Sequence, residues 1–228
     1  ARNWQARKAG AGWAGLTWPR AFGGQDATPM EQVIWNQEEG RYAVPPNVFL
    51  IGIGLVGPTV MIHGTDEQKA SVLPRALTGE DIWCQLFSEP AAGSDLAGIR
   101  TRARRDGDGW VISGQKVWTS GAHYSSHGIL LARSDPQVPK HKGLTMFLVD
   151  MADPAIEARP IRQISGGASF NEVFIDNLRI PYSARLGGES DGWKVALTTL
   201  MNERFSISIG RATGGARAED LIALARRV

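Results

Sequence analysis

"CQLFSEPAAGSDLAGIRT", Cys84 to Thr101, passes from an apolar, strand-like segment through a loop of small residues into a cluster of arginines. Successive small residues, Ala91, Ala92, Gly93 and Ser94, let a ligand approach the backbone closely, and consecutive amides in such a loop can form an anion-binding nest. Ser88 stands at the strand end, where a hydroxyl can aim at a ring heteroatom. A Gly/Ser/Asp loop after a strand is also an ordinary turn. The flanking sequence has to decide between a turn and the rim of a site.

Downstream the hydrophobic period is that of strands. "IWCQLFSE", "RTRARRD", "GWVISGQKVWTS", "HGILLARS", "GLTMFLVD", "IEARPIRQI" and "NEVFIDNLRI" are short, rich in β-branched and aromatic residues, and separated by turn signals such as "DGDG" at 106–109. Strands without intervening helices predict an antiparallel barrel or sandwich. Upstream the pattern is helical. "TPMEQVIWNQEEGRYA" starts with Thr28 as N-cap, Pro29 in the first turn and Glu31 closing a capping box, and "TDEQKASVLPRAL" repeats the device with Thr65 and Gln68. Beyond "IPYSARLGGESDG", helical spacing returns in "DGWKVALTTLMNERFSISIG" and "ARAEDLIALARRV". The expectation is an α+β chain: an N-terminal helical domain over 1–80, a middle antiparallel β-barrel or sandwich over 81–190, and the start of a C-terminal helical bundle over 191–228. The opening "ARNWQARKAGAGWAG" reads as if it begins inside a helix, as in a piece of a longer protein.

Composition narrows the function classes. Lys and Arg number 25 against 23 Asp and Glu, a net charge of +2, which gives no global attraction to nucleic acid or to an anionic membrane. The longest apolar run, Val48 to Ile62, is interrupted by Gly52, Gly54, Gly57 and Pro58 and falls short of the ~20 residues of a membrane-spanning helix. The single cysteine, Cys84, has no internal disulfide partner, which suits a reducing cytoplasm.

Several motifs carry a sharp and a bland reading. "GIGLVG", Gly52 to Gly57, has dinucleotide-fingerprint spacing, but Pro58 follows at once and a newly capped helix begins where the second strand belongs. It reads as a glycine-bearing helix packed closely against its neighbours. His123 and His127 lie in a Gly/Ser loop with no third ligand nearby, so no metal site is expected. Cys84 reads as a small buried hydrophobe rather than a nucleophile, and no GxSxG elbow is present. "GWVISGQKVWTSGAH" is more telling. Trp118, followed by the hydroxyls of Thr119 and Ser120 at a strand end, suits stacking on a flat ring and bonding its edge.

These stretches together resemble the acyl-CoA dehydrogenase family. "SEPAAGSDLAGIRT" is similar to its "TEPGAGSDxxxxxT" signature, "GWVISGQKVWTSGA" to its "INGxKxWITNG" segment, and "SFNEVFIDNLRIP" to its "FxVFxxVxVP" strand. The "GWKVALTTLMNER" helix fits the start of the family's C-terminal domain. The resemblance implies a helix–sheet–helix fold and an FAD enzyme that removes hydrogens from the α and β carbons of an acyl-CoA thioester. It assigns Gln85, Phe87, Ser88, Gly93, Ser94, Trp118, Thr119 and Ser120 to the FAD pocket, with Ser94 also on the route of the CoA chain; Arg204 is expected to stabilise helix packing, with some contact to the substrate's CoA. It implies electron-transferring flavoprotein as acceptor and a homotetramer or heterotetramer. The catalytic base is left with two positions: Glu203 in "MNERF", or a glutamate further into the C-terminal domain. Two other readings stand beside the dehydrogenase, a non-catalytic or half-site subunit and a flavin oxidase or monooxygenase. Ala91, where the signature has glycine, carries a cost only if that position needs positive φ.

Overall fold

Both capped helices begin where their local chemistry places them. In the computed structural model, which describes residues 1–209 and 218–227, Thr28 Oγ1 accepts the Glu31 amide while the Glu31 carboxylate accepts the Thr28 amide, and Thr65 and Gln68 repeat the exchange. They head α2 (Pro29–Glu39) and α4 (Asp66–Thr78). With α1 (Arg2–Gly10) and α3 (Gly57–His63) these helices precede the first strand.

"GIGLVG" is helical but not simply α-helical. Gly52–Val56 form a π-helical turn running directly into α3, with the Gly57 amide bonded to the Gly52 carbonyl. The glycines are there for close packing: a Cβ on Gly52 would meet Trp83, one on Gly54 would meet Ser206, and one on Gly57 would lie 2.6 Å from Trp18 Cη2. Gly57→Ala should therefore destabilise the fold by about 1–3 kcal/mol through overpacking, although Ala has the better helix propensity. Urea denaturation tests this, and an alanine variant as stable as the parent would remove the packing argument.

Eight strands follow: β1 (Trp83–Leu86), β2 (Arg102–Asp106), β3 (Gly109–Ser120), β4 (His127–Arg133), β5 (Leu144–Asp150), β6 (Ile156–Ile161), β7 (Phe170–Pro181) and β8 (Arg185–Leu186). They form one sheet in the order β6-β7-β3-β2-β4-β5-β8, with β1 also on β4. The sheet differs from the expected antiparallel barrel or sandwich in two ways. It is not closed, and β1 runs parallel to β4, as does β2 at the single pair Arg102–Arg133. β4 alternates between two cores. Ile129 and Leu131 face the helices with Trp18, Val60, Leu73 and Val195, whereas Leu130 and Ala132 face Ile112, Val173, Ile175 and Phe147 across the curled sheet.

The chain then enters α5 (Gly192–Ile209), whose Val195, Ala196 and Thr199 are buried against the π-helical turn, α3 and β5. Helix α6 (Ala218–Ala225) follows. Of the expected final helical stretches, Gly210, Ala216, Arg217 and Val228 lie outside the described residues. Among the described residues no helix is long and apolar enough to cross a membrane.

Candidate active site

The end of β1, the bulged end of β3, the π-helical turn and α5 enclose a cleft of about 400 Å³. Its lining includes Gln85, Phe87 and Ser88 from β1 and the loop after it, Val117, Trp118 and Ser120 from β3, Leu50, Ile51 and Leu55 from the helical side, and Glu203 and Ser206 from α5. Six of the residues expected at a cofactor or catalytic position meet there. Four do not line it. Gly93 and Ser94 are exposed on the loop, Arg204 is exposed on α5, and Thr119 points into the interior at 1% exposure.

A β-bulge explains why Trp118 and Thr119 part ways. The β3–β7 register slips between Lys116 and Thr119, and Trp118 takes φ +59°, a left-handed conformation costly for a bulky side chain. The bulge turns the indole outward, 61% exposed, with its ring edge-on to Phe170 at 6.1 Å. Thr119 stays on the buried pleat, its carbonyl accepting Asn171 Nδ2 at 2.9 Å.

Behind this wall lies a pair absent from the sequence reading. Lys116 is fully buried and donates to Glu89 Oε1 at 2.9 Å and to the Phe87 carbonyl at 3.0 Å. Glu89 also accepts the amides of Arg100 and Thr101, at 2.6 and 2.8 Å, so one carboxylate closes the loop between Glu89 and Thr101 upon itself. Burial pushes the Glu89 carboxyl up, but Lys116 and the loop donors outweigh it and hold the group below its ordinary range. Burial also draws the Lys116 ammonium down to about 8, against the pull of Glu89. Val117 N–H bonds the Ser88 carbonyl at 2.9 Å, so the two walls of the cleft are cross-tied. The only sequence signal for the pair was a lysine next to Val117 and Trp118 in β3 and an acid just past the end of β1.

Opposite the tryptophan, Gln85 Nε2 donates to Glu203 Oε2 at 3.3 Å, so α5 delivers a half-buried carboxylate to the cleft. Ala91 is not among the residues with positive φ, and its substitution for glycine carries no backbone cost. Cys84 is fully buried, and burial pushes its thiol up to about 12, which leaves it inert as a nucleophile. His123 bonds Asn171 and His127 bonds Ser126. Among the described residues no cluster could hold a metal ion. A second cleft, about 440 Å³, lies between α4 and the sheet; there Arg75 grips Asp81 with two bonds of 2.8 Å, Arg179 pairs with Asp106, and Asp150 and Asp153 accept the amides of Ala152 and Ala155.

Helices, an open sheet and a returning helix that closes a cleft at the ends of β1 and β3 define the acyl-CoA dehydrogenase fold. Residues 2–80 match the acyl-CoA dehydrogenase N-terminal domain and residues 84–178 the middle domain, and the chain belongs to the acyl-CoA dehydrogenase family. It is 49% identical over 202 residues to acyl-CoA dehydrogenase FadE34 of Mycobacterium tuberculosis, covering 89% of this chain and 28% of that protein. It is 43% identical over 227 residues to acyl-CoA dehydrogenase IpdE1 of the same organism, covering 99% of this chain and 59% of the relative. Among solved structures, the Tcur3481-Tcur3483 steroid ACAD superposes with a TM-score of 0.88 at 36% identity, over 99% of this chain and 58% of that one. The chain thus spans less than two thirds of each of these proteins.

Proposed function

We propose that the cleft is one face of an acyl-CoA dehydrogenase active site, with Glu203 as the base that takes the α-proton of the acyl thioester. The observation that carries this reading is the Gln85–Glu203 hydrogen bond, which turns a carboxylate from α5 toward the wall built by Trp118 and Ser88.

The residues present suit FAD. The cleft combines an outward-facing tryptophan at a strained backbone position with two serine hydroxyls, and Trp83, whose buried indole N–H has no partner among the described residues, contributes to its lining. Trp118, Ser88, Ser120 and Phe87 would hold the flavin ring, with the loop at Gly93 and Ser94 outside the cleft and free to face the rest of the cofactor or the CoA chain. Bound FAD would supply the acceptor for the β-hydrogen. The remaining chemistry belongs to the chain. Gln85 orients the Glu203 carboxylate, Glu203 receives the proton at the α-carbon, and Phe87, Leu55 and Ile51 exclude water so that the carboxylate acts at close range. Electron-transferring flavoprotein is the proposed acceptor of the electrons, and the cytoplasm the proposed compartment.

A bulky, ring-containing or branched acyl group is the substrate class we favour, in keeping with the steroid ACAD that this chain resembles. A half-site subunit is the second reading. It is favoured by the exposed apolar stripe Leu197, Met201 and Phe205 on α5, at 45%, 62% and 37% exposure, which suits packing against further helices of the same polypeptide or of a partner subunit. Anaerobic titration of the FAD-loaded protein with acyl-CoA thioesters separates the readings. Bleaching of the flavin's visible absorbance is expected. A protein that takes up flavin only with a partner chain present would support the half-site subunit, and peroxide formed in air without another acceptor would support an oxidase.

A further inference from the structure

The π-helical turn gives Leu55 to the cleft wall, and side chains supply donors to its carbonyls. A π turn disturbs the regular backbone ladder and recurs at functional sites, and its buried carbonyls need other donors. Three successive carbonyls here are met by side chains: Ile53 O by the Trp18 indole N–H at 3.0 Å, Gly54 O by the Ser206 hydroxyl at 3.2 Å, and Leu55 O by the Thr59 hydroxyl at 2.7 Å. Two of these donors lead to α5. Ser206 is on that helix, and Thr59 Oγ1 lies 3.1 Å from Thr199 Oγ1, also on α5 and fully buried.

Thr199, Glu203 and Ser206 are spaced four and three residues apart, so they share one face of the helix. Glu203 therefore sits between two hydrogen-bonded anchors that span roughly 10 Å of helix. The closest approach is at Gly54, where a Cβ would fall 2.5 Å from Ser206 Oγ and 3.1 Å from Ser206 Cβ. We propose that the π-helical turn is the seat of α5, and that Gly54, Ser206 and Thr199 are positioning residues that set the Glu203 carboxylate over the substrate's α-carbon. Glycine at 54 lets the helix settle at its working depth, the Ser206 bond fixes its rotation, and the Thr59–Thr199 contact fixes the other end.

This inference rests on Glu203 being the base, and its test separates the two. In D2O, the flavin-loaded protein is incubated with 3,3-dimethylbutanoyl-CoA, whose β-carbon bears no hydrogen, so that α-deuteration read by mass spectrometry reports proton removal alone. Amide hydrogen exchange over 199–206 is measured in parallel without substrate. Gly54→Ala is expected to slow α-deuteration about 10²-fold, the cost of displacing a catalytic group by about 1 Å, with flavin content and acyl-CoA affinity unchanged and the 199–206 amides exchanging faster. Adding Ser206→Ala, which removes the hydroxyl the new methyl would strike, should restore at least tenfold of the loss. Should Gly54→Ala not fold, Thr199→Val, which keeps the side-chain shape and deletes the hydroxyl contact, is expected to slow α-deuteration about tenfold. Gly54→Ala or Thr199→Val exchanging within twofold of the parent would overturn the inference, as would a Gly54→Ala loss that Ser206→Ala leaves untouched. Deuteration that persists in Glu203→Gln, or that is absent from the parent, overturns the function reading instead.

Discussion

Lys116→Met is expected to cost about 3–5 kcal/mol of folding free energy, a large share of the ~5–15 kcal/mol of an ordinary domain. Lys116 is fully buried and the Glu89 side chain is only 7% exposed, so removing the ammonium strands a carboxylate in the interior beside the amides of Arg100 and Thr101. The Phe87 carbonyl loses its donor in the same step. What is lost is mainly the compensation of a buried charge, not the net value of an ion pair, which is why the partner matters. Lys116→Met combined with Glu89→Gln removes both charges while a side-chain carbonyl still accepts from the loop, and should recover at least half of the loss. Urea denaturation of the two variants gives the comparison. A single variant within about 1 kcal/mol of the parent, or a double variant no better than the single, would show that the pair does not organise this loop.

That pair also marks where the sequence stopped being legible. Lysine on a strand ordinarily faces water, and only the fold brings β1 beside β3 so that Lys116 and Glu89 become partners 27 residues apart in the chain. The capped helices were legible because a capping box is complete within four residues, and Thr28 and Thr65 bond as their spacing predicts. Seven strands were legible as short segments, rich in β-branched and aromatic residues, between turn signals. The eighth, Arg185–Leu186, was not, because two residues carry no period and are strand only by pairing with Met146 and Phe147. The parallel run of β1 on β4 is likewise a property of the partner, not of either segment.

The site divides in the same way. Ser88 and Trp118 were found because residue type at a strand end suggests a ring pocket, and the resemblance led to Gln85 and Glu203. Thr119 was grouped with its neighbours because the β-bulge that parts it from Trp118 leaves no mark in the local sequence. The three glycines of "GIGLVG" announced close packing, which the structure bears out at Trp83, Ser206 and Trp18. Their π-helical geometry has no local signature, and the contacts that join the turn to α5 come from hydroxyls more than a hundred residues downstream.

Glu203→Gln should lower kcat and kcat/KM together by about 10²–10⁴-fold, roughly 3–5 kcal/mol of barrier, while flavin content and acyl-CoA binding stay as in the parent. Glutamine keeps the size of the side chain and can still meet Gln85, so the helix has no reason to move. It cannot take a proton. Equal losses in the two kinetic parameters are the mark of an interaction made in the transition state alone. Glu203→Asp supplies the second half of the argument. The carboxylate is retained but withdrawn by one methylene from a contact that is already 3.3 Å long, so activity should fall between parent and Gln variant. Steady-state kinetics with an artificial electron acceptor, together with single-turnover bleaching of the flavin, distinguish the proton step from product release. Turnover of Glu203→Gln within tenfold of the parent would move the base off α5. The Gln85 contact would then be a structural link between β1 and α5, and the carboxylate that completes this cleft would have to come from another segment or another subunit.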